Sequence, residues 1–590
     1  VSFTGGITGR LFQQFSVTIA VSVVISAFNA LTLSPALCAL LLRRREPPKK
    51  GFFAAFNRWF ARRMDKYTAF TPTLIRHVAR TGVFIAAVLA VIFLVWRKLP
   101  AGFLPEEDQG YVMVMVSTPE ASSLQVTQKA MIRADEVIRT LPEVASTSFA
   151  AGFNMMAGIA STDSGIIFVS LVGYSDRKLT AMEIAQRLTD ELYMAVPGAE
   201  CFAFIPPSIP GLGITSGVSV EVQDLEGRGT AYLLEQSERL MDSLRKLPSV
   251  ASVTTQFNAG VPQRRLRIDK EQALASGVDL GVLYGDLTTL LGGAYVNNFS
   301  RFGKLYQTYI QAAPAYRMDK RSLDSYYVAS SSGESVPVSS LVEVVDTVGV
   351  EYVSQFNLYR SIGLTVTPAA RTSTTTVMQD ITRTAAQVLP DDVGTAWSGT
   401  SFQEANASKT GGLVYLLALV FVFLALAALY ESWGLPLAIL MSVPVAVLGA
   451  VLFIGASHLL NAFYVNDIYM QISLVMLIGL AAKNAILVVE YADRLFNEQG
   501  ASLMDAAIGA AKLRVRPIIM TAFAFILGVM PLIFASGVYA TARNIMGVAL
   551  VGGMLFATLL GIFVYPALYY FVGRIGGFER RRERKKQEQS

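Results

Sequence analysis

Seven apolar runs, at 15–42, 82–96, 411–430, 433–457, 468–489, 517–542 and 544–573, constrain this chain more than any other feature. A bilayer core about 30 Å thick is crossed by about 20 apolar residues in a helix. Backbone groups in hydrocarbon must be satisfied within their own segment, so each run reads as a membrane-spanning helix. The run at 82–96 is short, but Arg97 and Lys98 at its end can snorkel to the interface. Composition agrees: 16% of the 590 residues are charged, against about 25% in ordinary soluble domains, and mean hydropathy is +0.45. Disordered, collagen-like and disulfide-scaffold classes are excluded. Cys38 and Cys201 lie in unrelated contexts, and His77 and His458 alone build no metal site.

Lysine and arginine collect on the cytoplasmic side of membrane proteins. Three segments are rich in them. The loop 43–80 carries Arg43, Arg44, Arg45, Lys49, Lys50, Arg58, Arg62, Arg63, Lys66, Arg76 and Arg80 against Glu46 and Asp65. The link 490–516 has Arg494, Lys512, Arg514 and Arg516, and the tail 574–590 is basic. With all three inside, the seven spans alternate, and 100–410 lies outside. The first residue, Val1, then sits outside beside an inward-running span with no cleavable signal pattern before it, so earlier spans upstream are expected, the alternative being a true start with the amino end outside. In 52–70, Phe52, Phe53, Phe56, Trp59, Phe60 and Tyr67 recur at near-helical spacing between arginines. That pattern suits an amphipathic helix on the lipid surface, or a plain connector.

The outer stretch reads as α+β. Strand-like 111–117, helical 126–140, strand-like 146–150 and 166–172, helical 181–195 and strand-like 200–205 give a βαβ–βαβ order, as in a split sheet with helices on one face. The order restarts with strand 218–223, helix 231–247 and strand 252–256. The sequence repeats with it, since Arg139-Thr-Leu-Pro-Glu-Val-Ala-Ser146 matches Arg245-Lys-Leu-Pro-Ser-Val-Ala-Ser252. Further pieces at 266–268 and 280–291 precede a predicted hairpin over 292–313. Strands at 326–329 and 362–367 and a helix at 374–388 return the chain to the membrane.

No phosphate loop, zinc-protease motif or nucleophile elbow occurs, and Gly211-Leu-Gly213-Ile-Thr-Ser216 lacks the context of a dinucleotide fingerprint. An enzyme is not indicated, no cofactor is implied, and basic segments flanking a membrane argue against nucleic acid. Two constellations remain. Lys483 sits deep inside 468–489, where a charge is costly and is by default functional. No span holds a carboxylate at its depth. Glu490 is about two turns inward and Asp467 is near the outer end. Asn484 is a candidate hydrogen-bond partner, and Arg514 and Thr521 border the next span. The second constellation is Phe149, Phe153, Phe168, Phe202 and Phe204, with Met155 and Met156 in a glycine-flanked loop at 152–165. Phenylalanine and methionine together make adaptable apolar pockets, or an ordinary sheet core.

Six motifs carry a family resemblance: Leu33-Ser-Pro-Ala-Leu-Cys38, Leu99-Pro-Ala-Gly-Phe-Leu-Pro-Glu-Glu-Asp108-Gln-Gly110, Gly293-Ala-Tyr-Val-Asn297, Ala427-Ala-Leu-Tyr-Glu-Ser-Trp433, Gly479-Leu-Ala-Ala-Lys-Asn-Ala-Ile-Leu487 and Arg514-Val-Arg-Pro-Ile-Ile-Met-Thr521. In this order they resemble the resistance–nodulation–division (RND) transporters, hydrophobe/amphiphile multidrug branch, over the last span of the first half and all of the second. The resemblance implies an α-helical polytopic membrane protein with a large α+β periplasmic region of repeated βαβ porter modules and a docking hairpin. The implied segments are a span at 1–45, a cytoplasmic loop at 46–80 and a span at 81–99. A porter module at 100–217 and another at 218–410, with a docking insertion at about 265–365, would follow. Five spans at 411–573 and a tail at 574–590 would complete the chain.

The resemblance further implies proton-driven drug efflux from the bacterial inner membrane by a homotrimer. A periplasmic adaptor, an outer-membrane channel, hydrophobic or amphiphilic substrates and membrane lipid would be its partners. Lys483, Asn484, Arg514 and Thr521 would match the proton relay, which faces an Asp pair carried by the first half. Phe149, Phe153, Met155, Phe168, Phe202 and Phe204 would match the drug pocket, and 152–165 the switch loop. Met155 and Met156 depart from the commoner aromatic version of that loop. A metal-exporting relative and a non-transporting remnant or binding protein are the competing readings.

Overall fold

A computed structural model of the protein describes residues 6–42, 51–76, 78–209, 211–213, 215–369 and 372–578. Arg43, Arg44, Arg45, Lys49, Lys50, His77 and the tail from Glu579 onward lie outside the described residues. The chain opens with α1 (Gly6–Leu31) and α2 (Leu33–Leu41), which form one apolar stretch, Ile7–Leu41. Helix α3 (Phe52–Ile75) covers the expected amphipathic segment. Its later half is anchored, with the Tyr67 hydroxyl donating to the Ile562 carbonyl at 2.8 Å, while Phe52, Phe53, Phe56 and Trp59 are exposed. Helix α4 (Val78–Lys98) is the second crossing candidate.

After α4 the chain forms a strap, 99–110, and then the first outer module. The module comprises β1 (Tyr111–Ser117), α5 (Leu124–Ile138), β2 (Val144–Asn154), β3 (Ile159–Leu171), α6 (Ala181–Ala195) and β4 (Glu200–Phe204). The sheet order is β2-β3-β1-β4, antiparallel throughout. Val112, Val114 and Val116 alternate onto the helix side and are buried with Met131, Ile184 and Leu188. The expected loop at 152–165 is instead most of a hairpin, with its turn at 155–158 only. Besides that turn, Gly152 and residues 161–163 lie outside the strand pairing, and Gly152 and Gly165 fall within the strands rather than bounding a loop. Helix α6 begins with a reciprocal cap between Thr180 and Glu183.

The second module starts with β5 (Val218–Asp224), α7 (Thr230–Leu244) and β6 (Val250–Thr255). Residues Phe257–Val353, together with Thr118–Leu124, form a separate compact unit. That unit contains β7 (Val261–Ile268), α8 (Lys270–Ala275), α9 (Leu280–Leu287), the hairpin β8 (Ala294–Arg301)–β9 (Lys304–Ile310), β10 (Tyr327–Ala329), β11 (Ser335–Pro337) and β12 (Val342–Gly349). Its core gathers Leu283, Val338 and Leu341, and Tyr295–Tyr309 and Phe299–Tyr306 stack across the hairpin. The second module then resumes with β13 (Ser354–Phe356), β14 (Tyr359–Pro368), α10 (Thr374–Val388) and β15 (Val393–Trp397). Strand β14 pairs with β5 and β6, and β15 with β5. The order β6-β14-β5-β15 repeats that of β2-β3-β1-β4, with the compact unit inserted between the second and third strands. That insertion ends before β14, so the segment to residue 365 belongs to the module's own sheet.

Among the described residues seven helices follow: α11 (Gly399–Tyr430), α12 (Gly434–Leu440), α13 (Val443–Leu460), α14 (Ile468–Asn497), α15 (Leu503–Ile533), α16 (Ala540–Leu559) and α17 (Gly561–Ile575). Among the described residues six helical stretches are long and apolar enough to cross a membrane, and the apolar part of α11, Tyr415–Tyr430, is shorter. The expected span boundaries at 517–542 and 544–573 are corrected. Helix α15 continues through Lys512–Arg516, since Ser502 caps it by accepting from the Asp505 N–H. The break falls at Phe534–Tyr539, where Gly537 and Tyr539 take positive φ.

Helices α13 and α16 cross closely at glycines. A Cβ on Gly449 would collide with the Gly552 carbonyl oxygen, and one on Gly552 with Phe453. Gly552→Leu is expected to force the helices apart at a cost of about 1–3 kcal/mol or more. A lowered thermal midpoint of the purified protein in detergent measures this, and an unchanged midpoint contradicts the close crossing.

The strap is held at both ends. The Asn466 N–H donates to the Pro100 carbonyl, the Gly102 N–H to Asn466, and the Ile468 N–H to Phe103. Asp108 accepts from Arg177 at 2.7 Å and from the Ala181 N–H at 2.7 Å, and the Arg177 side chain is 2% exposed. Burial alone would raise the Asp108 carboxyl, but the Arg177 guanidinium and the N–H groups of Ala181 and Gly110 hold it below the ordinary carboxylate range. A depressed folded value stabilises above the unfolded pKa, about 3.9, and is lost as pH falls through the folded one. Asp108→Asn is therefore expected to lower stability at pH 7 and to flatten the loss below about pH 4. Parallel wild-type and variant curves of unfolding midpoint against pH would contradict this.

Candidate functional site

The sheet of the first module has two unlike faces. Away from the helices lie Met113, Met115, Ile166 and Phe204, all buried, with Tyr111, Met155 and Met156 packed against them. Register places Phe168 and Phe204 on either side of Met113, and Ile166 and Phe202 on either side of Met115. Phe202 and Phe204 stack at 5.8 Å. Phe204 is 6% exposed, whereas Phe168 is 39% and Phe202 51% exposed, so the face has a closed end and an open one. Phe149 does not join it. That residue pairs opposite Ile167, whose side chain points into the helix-side core, so Phe149 is on the other face from Phe168. Phe153 lies beyond a register shift, opposite Ala160, near the hairpin turn. The sequence reading missed Met113, Met115 and Ile166. Their signal was the alternation of valine and methionine along β1, which sorts two faces at a period of two.

The second constellation lies on α14 and α15, which pack directly against each other. Lys483 is exposed on α14 and Thr521 is exposed on α15, where its hydroxyl donates to the Ile518 carbonyl at 3.1 Å. Lys483 has no carboxylate partner among the described residues. Asn484 is not in the same pocket. One residue on, about 100° around the helix, it is 2% exposed and reaches the side of α17, where its contact is the Tyr565 hydroxyl. Its amide nitrogen has no hydrogen-bond partner. Arg514 lies 4.8 Å above the Tyr491 ring, with a buried Nε that has no partner. Tyr491 is about two turns along α14 from Lys483, so Arg514 lies toward the C-terminal end of α14 rather than beside the lysine. Glu490 is engaged with Arg494 at 3.8 Å. Along α15, Met520, Phe523 and Leu527 are exposed beside Thr521. Among the described residues no cluster of histidine, cysteine or carboxylate side chains could hold a metal ion.

A polytopic helical protein with a duplicated outer module and a charged residue on its membrane helices is the architecture of a membrane transporter of the RND type. The chain belongs to the AcrB/AcrD/AcrF family, whose sequence profile matches residues 1–573. It is 37% identical to the toluene efflux pump membrane transporter TtgB of Pseudomonas putida over 588 residues, covering 98% of this chain and 55% of that protein. It is 34% identical to the multidrug export protein AcrF of Escherichia coli over 583 residues, covering 97% of this chain and 56% of that protein. It is likewise 34% identical to the multidrug resistance protein MdtF of Escherichia coli over 586 residues, covering 97% of this chain and 55% of that protein. The chain spans about half the length of the curated relatives it matches. The family is one of efflux transporters, not enzymes.

Proposed function

We propose that this chain acts in a proton-driven multidrug efflux permease of the bacterial inner membrane, exchanging protons for hydrophobic or amphiphilic compounds. The observation that carries the reading is the exposed Lys483 on α14, in a molecule that also carries the half-open Phe168–Phe202–Phe204 face. A lysine among exposed apolar side chains of membrane helices is costly unless paired. Its carboxylate partner therefore comes from a further membrane segment packed on the α14–α15 surface. Lys483, Arg514 and Thr521 form the relay on this side, with Asn484 supporting α14 from the α17 side. The outer modules, on the periplasmic side by the distribution of basic residues, bind substrate on the methionine–phenylalanine face with Met155 at its edge. Phe153 contributes from beside the hairpin turn, whereas Phe149, on the opposite face of the sheet, does not line the site. A homotrimer engaging a periplasmic adaptor and an outer-membrane channel is the assembly proposed, by family likeness.

Cells producing the chain together with the membrane segment that supplies the carboxylate should retain less of a fluorescent amphiphile than cells producing neither, with retention restored by a protonophore. Equal retention in both cell types contradicts the reading. A second reading, export of soft metal ions, draws on the grouping of Met113, Met115, Met155 and Met156 in one cluster. Thioethers favour soft ions such as Cu(I), but they also fill aromatic pockets. Tolerance of copper or silver that rises with production of the chain, without a change in dye retention, would favour this second reading.

A further inference from the structure

The strap between α4 and β1 carries three consecutive carboxylates, Glu106, Glu107 and Asp108, of which the last two bond to different helices. Glu107 is 3% exposed. It accepts from the N–H of Thr541 at 3.2 Å and of Ala542 at 2.7 Å, in the first turn of α16. Asp108, one peptide bond later, accepts from the N–H of Ala181, the first residue of α6, and from Arg177. Each of these two carboxylates sits at the positive end of a helix, where a negative charge is favoured. One of those helices belongs to the membrane set and the other to the outer module. Two further contacts reinforce the junction. The Tyr174 hydroxyl donates to the Asp108 carbonyl at 2.7 Å, and the Tyr174 ring lies beside Gly537 in the α15–α16 loop.

The same strap meets the start of α14, the helix of Lys483, through the Ile468 N–H on the Phe103 carbonyl at 3.2 Å. It runs directly into Tyr111 and β1, which contributes Met113 and Met115 to the apolar face. Helices and sheets move as near-rigid bodies, and a buried carboxylate stripped of its donors is disfavoured. An axial shift of α14 or α16 is thus followed by the strap rather than absorbed beside it.

We propose that strap 99–110 transmits movement of the membrane helices to the first outer module, with Glu107 and Asp108 as positioning residues that clasp α16 to α6. The proposal rests on the transport reading for its use, but the clasp itself can be tested without transport. Coupling is reciprocal at equilibrium, so loosening either side must loosen the other. The experiment is amide hydrogen exchange on the purified full chain in lipid discs, comparing wild type, Glu107→Gln and Asp108→Asn, each of which keeps side-chain volume and an acceptor oxygen. Glu107→Gln is expected to speed exchange at 541–542 and, by roughly tenfold, at the start of α6. Asp108→Asn should speed exchange at the start of α6 and, reciprocally, at 541–542.

Faster exchange confined to each variant's own helix overturns the clasp, whether or not the protein transports. In membrane vesicles that also hold the membrane segment supplying the carboxylate, Glu107→Gln should reduce export of a fluorescent amphiphile at least tenfold, with the dye's binding affinity unchanged within about twofold. Crossed exchange effects with undiminished export in that variant overturn the transmitting role. Wild-type vesicles that export no dye would instead count against the transport reading, and the exchange result would still decide the clasp.

Discussion

Lys483→Ala is expected to abolish proton-dependent export while leaving the outer modules folded. The lysine is exposed on α14, so its removal opens no cavity in the core of this chain and costs little stability. Its effect falls on charge. With no ammonium to face, a carboxylate packed on the α14–α15 surface no longer has two alternative states to choose between, and protonation ceases to select between helix arrangements. Lys483→Arg is expected to impair export as well, because arginine stays protonated and its planar fork differs from a compact ammonium. The effects should appear in dye retention by cells at matched protein level. Normal export by Lys483→Ala would remove this residue from the relay.

Truncation of the aromatic residues should separate those that hold the sheet from those that meet substrate. Phe204 is 6% exposed, so Phe204→Ala is expected to cost about 3–5 kcal/mol and to lower the amount of folded protein. Phe168 and Phe202 are far more open on the same face, so their alanine variants should fold nearly normally and change which compounds are exported. Phe149→Ala, on the opposite face, should leave the substrate profile as it is. Susceptibility of producing cells to a panel of compounds, read beside protein level, measures all four. A shift in profile for Phe149→Ala equal to that for Phe202→Ala would contradict the division between faces.

Much of this architecture was legible because its signals are local. Helix α10, Thr374–Val388, covers the segment read as helical at 374–388, and Ser373 caps it by accepting from the Thr376 N–H. The duplicated Leu-Pro segments each mark a helix end followed by a strand, and α5–β2 and α7–β6 occupy equivalent places in sheets of the same order. Span ends were less legible. Hydropathy locates apolar residues but not helix ends, so the charged turn Lys512–Arg516 was read as a link although α15 runs through it. The middle of the hairpin at 144–171, residues 152–165, reads as a loop because it is rich in glycine and small polar residues, and cross-strand pairing is a long-range fact. Sidedness decided the rest. Neither the separation of Phe149 from Phe168 nor that of Asn484 from Lys483 follows from residue type, only from register and helix phase. The clasp at Glu107 and Asp108 was invisible for the same reason, since its donors lie at Thr541 and Ala181, far along the chain.

The central claim is that proton movement at Lys483 drives substrate export, and simultaneous recording of both fluxes tests it most directly. The purified protein, together with the membrane segment that supplies the carboxylate, is reconstituted into vesicles holding a pH-sensitive dye, an amphiphile is added, and a proton gradient is imposed. The account predicts that amphiphile movement and proton flow begin together in the wild type. Both should be absent in Lys483→Ala, which should still bind the amphiphile. Gradient-dependent amphiphile movement in Lys483→Ala, or movement in the wild type without accompanying proton flow, would contradict it.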